Sequence, residues 1–382
     1  MSARLLVSCG EPSGDLYAGA LTHELRRLDP AVTVSGLGGP QFAAAGGQLI
    51  ADYRGLAVTG LTEAIGKLPQ SFATLARLVE FARRARPDAL VAIDFPDFNF
   101  RLARRIAKLG IPVIYYISPQ IWAWRPGRIK SIRAFASLVL VIFPFEEQLY
   151  RDAGVPVSFV GHPLIDLAAI GDQAAFLRRL RLTPGAPTVA ILPGSRPNEV
   201  HRILPDLLGA ADRIRVRLPE AQFIVARAPG LADGLFDAVG PNLAVVEGET
   251  DAVLAAADVA VTASGTATVQ CALHDTPMVI VYRVSPLTYL IGRRLLTVDT
   301  FGMVNLIAGE RIVPELIQEA FTPAAVAGEA ISMLTDHDRH LRIRRGLSLV
   351  RERLGGPGAS RRAAEAILGV IRRVKKGYGP FP

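Results

Sequence analysis

The sequence predicts an α/β protein built from two doubly wound domains, each around a parallel sheet. Three observations carry this. Short apolar runs alternate with helical segments along the 382 residues, the pattern of successive βαβ units. The length accommodates two domains of ordinary size. Both halves open on the same junction, an apolar strand passing through a small-residue turn into a helix. In the first, Leu5-Leu6-Val7 leads into Cys9-Gly10-Glu11-Pro12-Ser13-Gly14-Asp15; in the second, Val189-Ala190-Ile191-Leu192 leads into Pro193-Gly194-Ser195-Arg196. Such a turn leaves backbone N–H groups facing outward and suits a phosphate or another anion. One per half predicts two nucleotide-type domains facing a common cleft.

In the first half, strands are expected at 4–8, 32–36, 89–93, 113–117, 138–143 and 157–160, with helices at 16–28, 72–86 and 99–109. The character changes near 166–187, around Thr183-Pro184-Gly185-Ala186-Pro187, and the interdomain region is placed there. Strands resume at 188–192, 222–226, 243–246, 259–262 and 278–282. Gly355-Gly356-Pro357-Gly358 breaks the chain late, before a final helix at 360–374 and a basic end. The expected division is a Rossmann-like domain at 1–168, a second at 169–354, and a segment at 355–382 whose helix returns to the first domain.

Composition narrows the function classes. The net charge is +8 and the basic residues are overwhelmingly arginine, which favours bidentate contacts to phosphate. A basic balance permits nucleic acid, anionic lipid or phosphorylated small molecules. With no zinc-finger spacing, aromatic–basic RNA signature or basic zipper, nucleic acid falls in rank. Mean hydropathy is high at +0.30, yet no apolar run reaches the ~18 residues of a membrane span. The start, Met1-Ser2-Ala3-Arg4, has no signal-peptide layout, so a cytoplasmic location is expected. Cys9 and Cys271 are too far apart in sequence for a CxxC pair and read as small buried residues.

Chemistry is expected at strand ends, where open α/β sheets bind ligands. Strand 89–93 ends in Asp94-Phe95-Pro96-Asp97-Phe98-Asn99; a carboxylate there can take a proton from an attacking hydroxyl, or Asp97 or Asn99 simply caps the next helix. Ser118-Pro119-Gln120-Ile121-Trp122-Ala123-Trp124-Arg125 holds both tryptophans and reads as a sugar or acyl pocket or as loop core. His162, in Gly161-His162-Pro163, is placed to bond a phosphate or sugar hydroxyl, or is structural. In Leu192-Pro193-Gly194-Ser195-Arg196 the glycine lets backbone approach a ligand and the arginine offers a fork to a diphosphate. Ser264-Gly265-Thr266-Ala267-Thr268 opens a helix with amides and hydroxyls, with Gln270 a turn later for ribose hydroxyls. Arg283, in Tyr282-Arg283-Val284-Ser285-Pro286, and Asn305, in Met303-Val304-Asn305, are weaker strand-end positions. Asp336-His337-Asp338 matches a metal-binding DxD by letter only and reads as a solvated loop. Leu68, Phe72, Leu75 and Val79 recur at helical spacing among arginines; most of that stripe packs on the sheet, and 65–72 is the candidate for membrane or acyl-chain contact.

Together these segments resemble the lipid-A-disaccharide synthase family, inverting glycosyltransferases of the GT-B architecture. The motifs around Glu11, Asp97, Trp122, Glu146, His162, Arg196 and Gly265 occur in the family's order across nearly the whole chain. The resemblance implies UDP-2,3-diacylglucosamine as donor, 2,3-diacylglucosamine 1-phosphate (lipid X) as acceptor, and lipid A disaccharide 1-phosphate plus UDP as products. It implies Asp97 as the base with Asp94 second, and His162 among the catalytic groups. Ser195, Arg196, Ser264, Gly265 and Thr266 would hold the diphosphate. Glu11, Ser13, Gly14, Asp15, Asn99 and Trp122 would line the site, and Gln270, Arg283 and Asn305 would help bind UDP. No metal and no cofactor is expected. Gln270 stands where such enzymes commonly carry glutamate and keeps hydrogen bonding without the charge. Peripheral association with an anionic inner membrane is expected, and a homodimer is left open. Two other readings remain, a UDP-N-acetylglucosamine 2-epimerase-like isomerase and a non-catalytic anionic-lipid-binding protein.

Overall fold

The computed structural model describes residues 2–55, 61–124, 126–168, 171–284, 300 and 302–379, leaving aside the side chains of 61–67, 123, 124 and 126. Arg125, Ser285 and Pro286 of the motifs above lie outside the described residues, as do the side chains of 65–67. The chain divides into two compact units, Met1–Asp166 with Leu354–Pro382, and Leu167–Arg353.

The first unit holds seven parallel strands: Arg4–Ser8 (β1), Thr33–Gly38 (β2), Gln48–Asp52 (β3), Ala89–Ile93 (β4), Val113–Tyr116 (β5), Leu138–Val141 (β6) and Val157–Phe159 (β7). They lie in the order β3-β2-β1-β4-β5-β6-β7. The second unit has Thr188–Leu192 (β8), Gln222–Arg227 (β9), Ala244–Glu247 (β10), Val259–Ala263 (β11), Met278–Tyr282 (β12) and Glu315–Ile317 (β13), in the order β10-β9-β8-β11-β12-β13. Every strand pairing is parallel.

The central strands β4, β5, β8 and β11 are buried along their whole length. That is why they read as unbroken apolar runs: helices cover both faces, so neither face needs polar residues. Two strands escaped the sequence reading. Both β3 and β13 sit at a sheet edge and are partly exposed throughout, so neither carries a buried apolar run.

In each sheet the winding reverses at one place. In the first unit the chain adds β2 and β3 on one side of β1, then β4 to β7 on the other; in the second it turns between β8 and β11. Loops leaving two adjacent strands in opposite directions open a crevice between them. The crevices are therefore flanked by the loops after β1 and β4 in one unit, and after β8 and β11 in the other.

The last helix, Ala359–Lys375, packs on helix Pro12–Leu28 of the first unit. Its apolar face buries Ala363, Ala364, Ile367, Leu368 and Ile371. Asp166 secures its start by accepting the N–H groups of Gly358 at 2.5 Å and Ser360 at 3.0 Å, and Arg362 Nε donates to the Val160 carbonyl at 2.8 Å. Two backbone N–H groups at the helix start are thus satisfied by Asp166. Asp336 is the single exposed residue between two helices and accepts the Arg339 N–H at 2.9 Å, while His337 and Asp338 lie in helix His337–Arg353, which corrects the loop reading of that DxD match for those two residues.

Candidate active site

In the first unit's crevice, Asp94 and Phe95 follow β4 with φ of 42° and 49°. Two consecutive non-glycine residues in the left-handed region cost about 1–3 kcal/mol each and persist only where the surroundings impose them. Here they do. The Asp94 carbonyl accepts from the Tyr115 hydroxyl and from Asn99 Nδ2, both at 2.8 Å. Phe95 stacks on Phe98 with ring centroids 5.4 Å apart. Its ring also covers Gly10, where a Cβ would stand 2.2 Å from it. Glycine at 10 lets the two crevice loops close on each other.

This turn launches helix Pro96–Ala107 with Asp97 in its first turn. The Asp97 side chain is 73% exposed and accepts from Arg128 NH2 at 2.5 Å. Arg128 in turn lies over the Phe100 ring, 5.2 Å from its centroid, which fixes the cation and through it the carboxylate. The residue in the capping position is Phe95 and no side chain caps this helix, so the capping reading of Asp97 and Asn99 fails. Asn99 is a bracket instead. Fully buried, it accepts from the Ser8 hydroxyl at 2.6 Å and donates to the carbonyls of Ser8, Ile93 and Asp94. It ties β1 to β4.

Asp15 is also engaged within the first unit. It is buried, and its carboxylate accepts the N–H groups of Gly39, Gln41 and Phe42 at 2.7, 2.9 and 3.1 Å. It caps the short helix after β2. Gly14 is buried too; a Cβ there would meet the Cys9 Cβ at 3.2 Å. Glu11 and Ser13 stay half-buried at the helix start, beside the crevice.

His162 lies in the interior of the first unit. It is 2% exposed, its Nδ1 accepts the Leu164 N–H at 3.2 Å, and its ring packs against Tyr17 and Phe143. Burial depresses its pKa to about 3, so it is a neutral core ring at ordinary pH. Trp122 sits half-buried on helix Ile121–Trp124 and donates its Nε1–H to Glu146 Oε1 at 3.1 Å. Glu146 ends the Phe143-Pro144-Phe145-Glu146 motif. It is wholly buried, and burial pushes its pKa up to about 8 against the opposing bonds from Trp122 and backbone N–H groups. Its visible signal was the glutamate three residues into a helix, the capping-box position.

The second crevice has two junctions. After β8, Gly194 takes φ of 120°, but the room it makes is filled from within: a Cβ there would lie 2.7 Å from Glu199. Glu199 accepts the N–H groups of Ser195 and Arg196 at 3.1 and 3.3 Å and the Arg196 guanidinium at 3.2 Å. The expected anion cradle thus holds the chain's own carboxylate. After β11, Gly265 takes φ of 150° with nothing near its missing Cβ. Helix Thr266–Leu273 starts there with no side-chain cap, and Gly265 and Thr266 are exposed. This helix N-terminus presents its backbone N–H groups and the positive end of its dipole without a side-chain cap.

Three further residues behave as struts. Arg283 binds Asp206 and the Phe321 carbonyl and stacks over the Phe321 ring. Asn305 is buried; it donates to the Val313 carbonyl and Glu315, and accepts from the N–H groups of Ile312 and Val313. Both pack loops together within the second unit. Gln270 donates to Asp251 at 3.4 Å, and His274 contacts the same carboxylate at 2.9 Å, so a carboxylate stands beside the amide. Both cysteines are buried with thiol pKa values pushed far up by burial. Among the described residues no cluster of His, Cys, Asp and Glu could hold a metal ion.

A sequence profile of the lipid-A-disaccharide synthetase family matches residues 5–369. The chain belongs to that family. The lipid-A-disaccharide synthase of Syntrophus aciditrophicus is 44% identical over 378 residues, covering 97% of this chain and 99% of its own. That of Myxococcus xanthus is 42% identical over 373 residues, with 96% and 97% covered. Among solved structures, a UDP-GlcNAc 2-epimerase from Neisseria meningitidis, bound to UDP-GlcNAc, reaches a TM-score of 0.68 at 11% identity. It covers 96% of this chain and 100% of its own. That likeness speaks for the two-domain GT-B fold alone. Membership in the synthetase family makes the chain a UDP-sugar glycosyltransferase of lipid A assembly, and it decides against both the epimerase reading and the non-catalytic one.

Proposed function

We propose that this enzyme transfers the diacylglucosamine of UDP-2,3-diacylglucosamine to the 6-hydroxyl of 2,3-diacylglucosamine 1-phosphate. The acceptor O6 forms the new bond to the donor's anomeric carbon while that carbon's bond to the diphosphate oxygen breaks. UDP leaves with the electron pair and the O6 proton passes to Asp97. A single displacement inverts the anomeric centre and gives the β-1',6-linked lipid A disaccharide 1-phosphate. The observation that carries this reading is the exposed Asp97 carboxylate at the first unit's switch point, held by Arg128. Asp94 remains the second candidate for the base.

In this reading the second unit holds UDP. The Ser264–Gly265–Thr266 turn binds the diphosphate through backbone N–H groups, supplying the fixed positive field that a departing anion needs. Ser195 and Arg196 contribute less, because Glu199 already engages them. Gln270 with Asp251 faces the ribose hydroxyls. Glu11, Ser13 and Trp122 lie on the acceptor side. Diacylated substrates reside in a membrane, and the first unit suits its surface. Leu68 and Phe72 are 42% and 48% exposed, and the Arg101 guanidinium lies 5.4 Å over the Phe72 ring. Apolar side chains flanked by arginine fit an anionic interface. No helix among the described residues is long and apolar enough to cross a membrane. We place the enzyme on the cytoplasmic face of the inner membrane; a homodimer does not enter the chemistry.

The test is direct. Incubation with both acylated sugars yields disaccharide and UDP in equal amounts. Epimerised UDP-sugar formed without acceptor, or liposome binding without turnover, contradicts the reading.

A further inference from the structure

Beneath the crevice of the first unit lies a buried acid that the transfer reaction does not use. Glu146 sits in helix Pro144–Asp152, fully enclosed. One carboxyl oxygen accepts the Trp122 indole N–H at 3.1 Å and the other accepts the Phe143 N–H at 3.4 Å. Around it runs a line of rings. Trp122 meets Phe145 edge to face at 5.0 Å, Phe145 stacks on Phe143 at 5.7 Å, and Phe143 lies against His162 at 5.6 Å. The inner end of this line is core. The outer end is not: Phe145 is 37% exposed and Trp122 is half-buried. The loop bearing Trp122 follows β5, next to β4 and its Asp94–Asp97 turn.

We propose that Glu146 is a positioning residue that holds Trp122 and Phe145 as an apolar wall for an acyl chain of the acceptor. An aromatic pair of this kind offers hydrocarbon contact with one polar handle, and the handle is taken by Glu146. The proposal rests on the acceptor assignment made above.

The wall carries a built-in pH dependence. The titratable and charged groups facing Glu146 are Asp94 from the loop after β4 and Tyr150 from its own helix, with neutral His162 beyond Phe143. Burial favours the uncharged acid, and ionisation is resisted up to about pH 8. As pH rises from 4.5 through 8, any arrangement giving the carboxylate water gains progressively over the shielded one. The shielded arrangement is the one that holds Trp122. Alkaline pH therefore loosens the wall, while the nucleotide-holding turn in the other unit is untouched.

Two readouts test this. In Trp124→Phe, Trp122 is the sole tryptophan. Its emission, read without substrates, is expected to titrate with a midpoint near 8, and to be flat over the same range when Glu146→Gln is added. Glutamine keeps an oxygen for the indole and cannot ionise. In kinetics, the acceptor KM of the otherwise unaltered enzyme is expected to rise several-fold across that midpoint with donor KM unchanged, and Glu146→Gln is expected to abolish the rise. Should Glu146→Gln not fold, Trp122→Phe replaces it and is expected to show the raised acceptor KM at all pH values. Flat emission in Trp124→Phe, a titration that survives Glu146→Gln, or a pH effect on donor KM would each overturn the proposal. Titrating emission in a protein that makes no disaccharide overturns the acceptor role and the transfer reading, while the Glu146–Trp122 coupling is measured independently of both.

Discussion

The two junctions flanking the second unit's crevice look alike in sequence and differ in what occupies them. Leu192-Pro193-Gly194-Ser195-Arg196 and Thr262-Ala263-Ser264-Gly265-Thr266 both run from a buried strand through glycine and serine into a helix. After β8 the loop N–H groups are spent on Glu199, which also grips Arg196. After β11 no side chain caps the helix, and the glycine borders open space. A glycine at a strand end therefore reports that something approaches the backbone. It does not report whether that something is a ligand or the chain's own carboxylate. The first unit adds a contrast: its crevice presents a carboxylate, Asp97, where the second presents amides. In the proposed transfer the base belongs to one unit and the anion holder to the other.

The largest effect is expected from the carboxylate. Asp97→Asn should lower turnover by about 10²–10⁴-fold, the range of a lost general base, with UDP affinity unchanged by calorimetry. A near-normal rate would move the role to Asp94. Next comes the open junction. Gly265→Ala puts a side chain where φ is 150°, a strained region costing about 1–3 kcal/mol, and should weaken UDP binding about tenfold or more. Arg196→Ala should weaken it by about two- to five-fold, since the guanidinium is already shared with Glu199 and an exposed ion pair adds little. Equal losses in the two variants would mean that the closed cradle opens for the diphosphate.

The smallest effects concern stability. His162 has its pKa depressed to about 3 in the fold from an ordinary 6.5. The unfolded chain binds more protons in that window, so this contribution is present above pH 6.5 and is lost as pH falls towards 3. Glu146 runs oppositely, raised to about 8 from 4.5. Its contribution is complete below pH 4.5 and is lost as pH rises through 8. Thermal melts should show Glu146→Gln gaining stability relative to the unaltered protein between those limits. A constant difference across that range would contradict the burial of the acid.

Much of the fold was legible because buried parallel strands must be apolar throughout. The strands at 4–8, 89–93, 188–192 and 278–282 are found with those bounds. The edge strands β3 and β13 were not, since partial exposure removes that signal. At the site the sequence reveals residue types at strand ends and hides their partners. Asn99, Asp15, Arg283 and Asn305 are polar and well placed in sequence, yet each bonds backbone groups or side chains that the sequence does not single out, Asn305 within ten residues and the others with partners farther along the chain. Arg128, 31 residues from the Asp97 it binds, leaves no local trace. Glu146 and Glu199 do leave one, a glutamate in the third position of a helix, and both prove to organise their loops.

Amide hydrogen exchange with and without UDP tests the division of labour most directly. UDP should slow exchange across residues 264–270, at the start of the helix after β11, and leave the Asp94–Asp97 turn unchanged. Protection at the turn after β4, with none after β11, would contradict the assignment of the nucleotide to the second unit.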